Sequence, residues 1–225
     1  MNEIRHIAVK ESLLKSNDFL AQELRDRWTK SGTLVVNLLS SPGAGKTTLL
    51  EATLPILKER FRLLVLEGDL ETERDAERVR GVGVDALQIT TGGGCHLEAH
   101  MIQQAWNALE VTEPYDLVFI ENVGNLVCPA SFDLGEHIRM VLLSVPEGED
   151  KPPKYPKAFR TSQALMLTKM DVVEHFDFRP EEAERLAREI QPDLSVFRTS
   201  ARTGDGLDEW LRWLEARREE VLAPA

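Results

Sequence analysis

The chain has 225 residues, 42% of them hydrophobic and 29% charged, enough to bury one substantial core. Its net charge of −11 opposes binding to nucleic acid or to anionic lipid, both of which need clustered Lys and Arg. Two cysteines, Cys95 and Cys128, are too few for a disulfide framework.

No stretch reaches the roughly 20 apolar residues of a membrane span, and the opening MNEIRHIAVKES lacks the apolar core of a signal peptide. A cytoplasmic protein with protein partners is expected. Residues 10 to 31 read as a helix that sets Leu13, Leu20, Leu24 and Trp28 near one face and stops at Gly32. The organisation expected is therefore an N-terminal helical arm, 1–32, followed by one domain, 33–225.

From Thr33 onward apolar runs recur at 34–39, 63–67, 84–89, 115–121, 139–145, 163–167 and 194–197, mostly separated by helical segments. The runs are continuous rather than alternating, as strands buried on both faces require. The fold class expected is α/β, a three-layer arrangement with a mostly parallel central sheet and helices on both faces. Ligands of such sheets gather at the carboxyl ends of the strands. Two long connections, 122–138 and 146–160, are of a length usually reserved for function.

The first run feeds directly into NLLSSPGAGKTT, residues 37–48. Gly43, Ala44 and Gly45 followed by Lys46, Thr47 and Thr48 form a phosphate-binding loop, in which glycine lets successive backbone N–H groups converge on phosphate oxygens at a helix start. Lys46 would meet the β and γ phosphates, and the Thr47 hydroxyl the Mg²⁺ that bridges them. The strict pattern asks for glycine at position 40, where this chain has Ser40. After the second run come Glu67-Gly68-Asp69 and then Asp75. Asp69 or Asp75 would orient the attacking water, and Asp69 could share in holding Mg²⁺. Glu121 ends the central run like a Walker-B acid, or serves as a cap.

Thr168-Lys169-Met170-Asp171 and Ser200-Ala201-Arg202-Thr203-Gly204 resemble the guanine-reading motifs of GTPases. In those the aspartate accepts from two guanine N–H groups, and adenine would leave it unpaired. Thr168 stands where asparagine is commoner.

TTGGGCHLEAH, residues 90–100, sets Cys95 and His96 after three glycines at the start of a helical segment, with His100 one turn beyond His96. A helix terminus favours a thiolate, and Cys with His suits Ni²⁺ or Zn²⁺. Cys128 falls in a loop at the same end of the sheet, and the four residues are candidate ligands. Composition alone equally allows two buried, inert cysteines and a capping histidine. His6, His137 and His175 read as structural or solvated.

SSPGAGKTTLL, EGD, GGGCHLEAH, ENVGNLVCP, SVPEGEDKPPKYP, TKMD and SARTGDGL, in this order, resemble the HypB family of hydrogenase-maturation GTPases, members of the SIMIBI class of P-loop GTPases. The resemblance runs from about residue 33 to the C-terminus. It implies a slow, Mg²⁺-dependent GTPase that cycles between GTP and GDP and assists nickel delivery to [NiFe] hydrogenase. It also implies a GTP-promoted homodimer with its metal site at the interface, on the residues matching Cys95, His96 and Cys128. Expected partners are a nickel-binding accessory protein and the hydrogenase large-subunit precursor. Other readings are a nucleotide-binding metal-storage or structural metal protein, or a related nickel GTPase serving a client such as urease. The Cys-Pro-His motif of the urease GTPases is not present, nor is a cysteine-rich or histidine-rich nickel store.

Overall fold

The computed structural model describes residues 2–69 and 74–223, with side chains from residue 13 onward, so the side chain of His6 lies outside what is described. Seven strands form one sheet: β1 (Leu34–Ser40), β2 (Leu63–Asp69), β3 (Asp85–Thr90), β4 (Leu117–Glu121), β5 (Ile138–Ser144), β6 (Ala164–Thr168) and β7 (Ser195–Arg198). Their order is β3-β2-β4-β1-β5-β6-β7, and every pair is parallel. The fold is thus the three-layer α/β arrangement that the continuous apolar runs predict, each run matching a strand to within two residues. Strands β1, β4, β5 and β6 are buried along their whole length.

The eight α-helices among the described residues are α1 (Asn2–Ser31), α2 (Lys46–Leu57), α3 (Arg74–Gly81), α4 (Ala99–Ala108), α5 (Lys151–Lys154), α6 (Pro156–Arg160), α7 (Pro180–Ile190) and α8 (Leu207–Val221). On one face of the sheet Leu49, Leu50 and Leu54 of α2 and Trp210 and Leu214 of α8 meet Val36, Val65 and Phe119. On the other face Ala21, Leu24 and Trp28 of α1 meet Val35, Leu64 and Val118 together with Ile102 and Trp106 of α4. The connection 146–160 is not an open loop. Pro152 and Pro156, whose fixed φ suits a helix start, open the two short helices α5 and α6 within it.

Helix α1 starts earlier than the apolar pattern suggests, and of the expected face Leu24 and Trp28 are buried and Leu20 partly so, while Leu13 is not. Leu13 is 64% exposed, and the buried positions are Asn17, Ala21, Leu24 and Trp28. Asn17 belongs to this face because both ends of its amide are used: Nδ2 donates to Asp133 O at 2.8 Å, and Oδ1 accepts from Ala99 N, the first amide of α4, at 2.9 Å. His137 ties the far end of α1 to the sheet. Its Nδ1 accepts from Val35 N and its Nε2 meets Thr29 Oγ1, both at 3.0 Å. Burial, then the nearby Arg25 charge, pushes its pKa down to about 4, so the imidazole is neutral and structural. His175 is exposed.

Gly135 lets the connection after β4 reach this helix. Its φ is +85°, and an added Cβ would lie 2.7 Å from Ala21 O, 2.9 Å from Leu24 Cβ and 3.1 Å from Trp28 Cζ3. Gly135→Ala should therefore cost about 2–4 kcal/mol, left-handed strain plus overpacking against α1. Gly92→Ala, at φ +61° with nothing within 4 Å, should cost only the strain. Urea unfolding of both variants checks this, and equal losses would mean that α1 is not seated as described.

Candidate functional site

The chain leaves β1 at Ser40 and turns through Gly43 and Gly45, whose φ values are +75° and +99°, before Lys46 starts α2. The first-turn amides of α2 thus open into a cavity of about 420 Å³ at the carboxyl ends of β1, β2 and β4, lined among others by Thr48, Asp69, Asp75 and Asn122. Lys46 is buried; its Nζ donates to Ser40 Oγ at 3.1 Å and lies 4.0 Å from Glu121 Oε1. Thr47 Oγ1 donates to the same Glu121 oxygen at 2.8 Å. Ser40, the departure from the strict motif, is therefore a hydrogen-bond acceptor for the loop lysine.

Glu67 and Glu121 occupy in-register positions on the neighbouring parallel strands β2 and β4, so both carboxyls project from one face toward α2. Glu67 is 1% exposed and Glu121 4%. Burial pushes the Glu67 carboxyl far above the usual carboxylate range, and the charge and hydrogen bond of Glu121 add to it. Burial also raises Glu121, against the pull of Lys46. Glu67 Oε1 and Glu121 Oε2 are buried with no hydrogen-bond partner. Sequence reading gave Glu67 no role of its own; the signal was its place two residues before Asp69 on a buried strand whose neighbour ends in Glu121. Asp75, in the first turn of α3, pairs with Arg78 at 3.1 Å, and Arg78 also reaches Glu51 and the Thr48 hydroxyl.

A divalent cation fits this donor set. Two buried carboxyl oxygens lack partners, a hydroxyl stands beside them, and the lysine is bonded to a hydroxyl. Thr47, Glu121 and Asp69 could hold Mg²⁺ or its waters.

A second cavity, about 220 Å³, opens on the far side of the loop between Ala44, Gly45, Thr168, Lys169, Asp171, Ala201 and Arg202. Asp171 is exposed through its backbone, but its side chain is 14% exposed. Ser200 Oγ donates to Asp171 Oδ1 at 2.7 Å, leaving the second carboxyl oxygen 3.8 Å from Arg202. Thr168 Oγ1 donates to Ala44 O at 2.6 Å and Lys169 Nζ to Gly43 O at 2.7 Å, so both brace the phosphate loop.

The third group lies beyond β3. Ligand atoms of Cys95, His96 and Cys128 all fall within 4.8 Å of one another. Cys95 is exposed and Cys128 half-buried, which argues against two buried, inert cysteines. The His96 ring stacks on Phe132 with centroids 4.0 Å apart. His100 is not among the clustered ligand atoms. Helix α4 begins only at Ala99, so His96 precedes it and the two histidines do not share a helical face; His100 Nδ1 instead lies 3.3 Å from Glu98. For the same reason the helix terminus does not acidify Cys95, whose thiol is pushed up by its hydrogen bond with Cys128, then by burial.

A parallel sheet with a glycine turn leading from its central strand into a lysine-first helix, and buried acids at the neighbouring strand ends, defines a P-loop nucleotide-binding protein. The chain belongs to the HypB group of the CobW/HypB/UreG family, whose nucleotide-binding domain matches residues 34–198. It is 48% identical over 218 residues to the hydrogenase maturation factor HypB of Azotobacter chroococcum mcd 1, covering 97% of this chain and 71% of that one. It is 43% identical to the hydrogenase/urease maturation factor HypB of Helicobacter pylori strain 26695, covering 96% and 90%. The crystal structure of Helicobacter pylori HypB in complex with nickel matches with a TM-score of 0.86 at 45% identity, covering 91% of this chain and 96% of that one. No helix among the described residues is long and apolar enough to cross a membrane.

The raised Glu67 pKa makes a signed prediction. A carboxyl that holds its proton more tightly when folded contributes stability that is intact below the unfolded value, 4.5, and lost as pH rises toward the folded one. Glu67→Gln keeps the shape and the donor but removes the titration. Without nucleotide and with chelator present, the variant should gain on the wild type between pH 5 and pH 8, by at most about 1.4 kcal/mol per pH unit for one proton. Urea melts at both pH values measure the difference; parallel pH profiles would overturn the assignment.

Proposed function

We propose that the chain is a GTP-hydrolysing switch that assists nickel delivery during hydrogenase maturation, with residues 33–225 as the GTPase domain and 1–32 as an arm clamped to it. The observation that carries this reading is one molecule holding both a phosphate loop with its acids and a Cys-His-Cys cluster, apart along the chain yet at the same end of the sheet.

In this reading GTP is the substrate. The amides of Gly43 to Thr47 and the Lys46 ammonium, released from Ser40, receive the β and γ phosphates and neutralise the charge that moves onto the leaving oxygen. Mg²⁺, when bound, supplies further charge neutralisation beside Thr47, Asp69 and Glu121. Asp69 or Asp75 orients the attacking water. Asp171 accepts from guanine, Lys169 covers the base, and the Ser200-Ala201 backbone contacts the guanine oxygen. Turnover is slow until a partner subunit completes the site.

Nickel, or Zn²⁺ as a competitor, is cargo for Cys95, His96 and Cys128. Three ligands leave a four-coordinate ion incomplete, so a two-fold homodimer promoted by GTP would bring a second set to the same ion. The nickel-binding accessory protein and the hydrogenase large-subunit precursor are the proposed protein partners, in the cytoplasm.

Asp171→Asn should weaken GTP binding by about 1–3 kcal/mol, because the amide offers a donor where guanine also donates, and should gain xanthosine triphosphate. Nucleotide titration checks this, and unchanged GTP affinity would remove the basis for guanine selectivity. Lys46→Ala should fold yet lose phosphate release from GTP; retained hydrolysis would refute the loop assignment. Sedimentation should show more dimer with Mg²⁺ and a GTP analogue than with GDP. Cys128→Ala should weaken nickel binding while sparing nucleotide affinity, and a stoichiometry identical in monomer and dimer would rule out the shared site.

A further inference from the structure

Arg78 ties α3 to α2. It lies one turn beyond Asp75 on α3, and its guanidinium meets both carboxylate oxygens of Glu51 on α2: Nε donates to Oε1 at 2.9 Å and Nη2 to Oε2 at 2.5 Å. Nη2 also reaches Thr48 Oγ1 at 3.3 Å, and Nη1, the arm left outside the fork, donates to Asp75 Oδ1 at 3.1 Å. Glu51 follows Thr47 by four residues and so lies one turn further along the same side of α2.

An Asp-Arg pair three apart on a helix and open to solvent contributes little by itself, and the Arg78 side chain is 41% exposed. The fork sets this pair apart. A guanidinium is planar and rigid, so two parallel bonds to Glu51 fix the direction of its remaining arm. The Asp75 carboxylate is thereby referenced to α2, the helix that opens with Lys46 and Thr47, and not only to its own helix. Ala76 and Val79, fully buried, seat α3 on the core from the other side. Thr48, Asp75 and Arg78 all line the cavity at the phosphate loop.

We propose that Arg78 is a positioning residue for GTP hydrolysis: clamped by Glu51, it aims the Asp75 carboxylate into the nucleotide cavity, where Asp75 orients the attacking water. This role rests on the reading of that cavity as a GTPase site. The bond from Arg78 engages Oδ1, and a carboxylate has a second oxygen with which to accept from water. In the step served, the water oxygen bonds the γ phosphorus, the bond to the β-γ bridging oxygen breaks with its electron pair leaving on GDP, and the water proton passes to the released phosphate.

The test measures phosphate release from GTP and Mg²⁺ by the full chain, beside affinity for a GTP analogue, with urea unfolding as the check of folding. Arg78→Ala should lower kcat at least about ten-fold. KM and analogue affinity should change by less than about two-fold, the split expected of a group that serves only the reaction. Arg78→Lys, which keeps the charge but cannot fork, should fall nearly as far, and Glu51→Gln should lie between it and the wild type. Asp75→Asn should lose at least as much as Arg78→Ala, and adding Arg78→Ala to it should cost nothing further. Wild-type kcat in Arg78→Lys, or a full additional loss when Arg78→Ala is added to Asp75→Asn, would overturn the positioning role while leaving the GTPase reading intact. Wild-type kcat in Asp75→Asn would remove Asp75 from the reaction and Arg78 with it. No phosphate release by the wild type would overturn the GTPase reading itself, and this role with it.

Discussion

Two carboxyls buried side by side at the ends of adjacent strands set the terms for everything around them. Glu67 and Glu121 stand in register, nearly sealed from solvent, with Lys46 as the nearby cation. Two unpaired buried charges would cost several kcal/mol each, so the pair retains a proton and the rest of its charge is met by Lys46 and the Thr47 hydroxyl. Lys46 is thereby held at the base of the loop, aimed into the cavity. The same pair leaves oxygens without partners, and such groups stabilise whichever ligand supplies positive charge. A donor set that suits a cation is thus built into the sheet beside the phosphate loop.

The Cys95-His96-Cys128 cluster is attached to this pair by close backbone approach. Gly68 sits between Glu67 and Asp69, and a Cβ there would lie 2.7 Å from Leu97, which is fully buried two residues after Cys95. On the other side Gly124 lies against Pro42 of the phosphate loop, where a Cβ would come within 3.0 Å of two of its atoms. The next residue, Asn125, donates to Cys95 O at 3.3 Å and accepts from Val127 N, beside Cys128. Both arms of the cluster are therefore seated on the strand end and loop that face the nucleotide cavity. Close-packed contacts of this kind shift as units rather than yield smoothly.

Much of the fold was legible because strands buried on both sides read as unbroken apolar runs, and the phosphate loop because glycine and lysine spacing is a local property. What escaped depended on placement across the sheet. Glu67 gains its character only from being opposite Glu121 in register, which no local pattern reveals. The buried stripe of α1 was misread at Leu13 because its face includes a polar residue, Asn17, kept inside by two hydrogen bonds to distant segments. His100 failed to join the cysteines because the helix starts three residues later than Cys95-His96 suggested, and its first amide is met by a residue far away in the chain, Asn17 of α1.

Thr168 carries the same point to the base-binding side. Its hydroxyl reaches the carbonyl of Ala44 inside the phosphate loop, and Lys169 reaches that of Gly43. The strand that presents Asp171 is thus fixed to the turn that would receive the phosphates, and Ser200 from the following strand end fixes the carboxylate itself. A short hydroxyl donor at residue 168 thus ties the end of β6 to the loop, and the place of Asp171 relative to that loop is set by the same contact. Any coupling between nucleotide and metal is reciprocal by linkage. An ion that favours one arrangement of Leu97 and Asn125 must then alter nucleotide affinity by the factor that nucleotide alters its own.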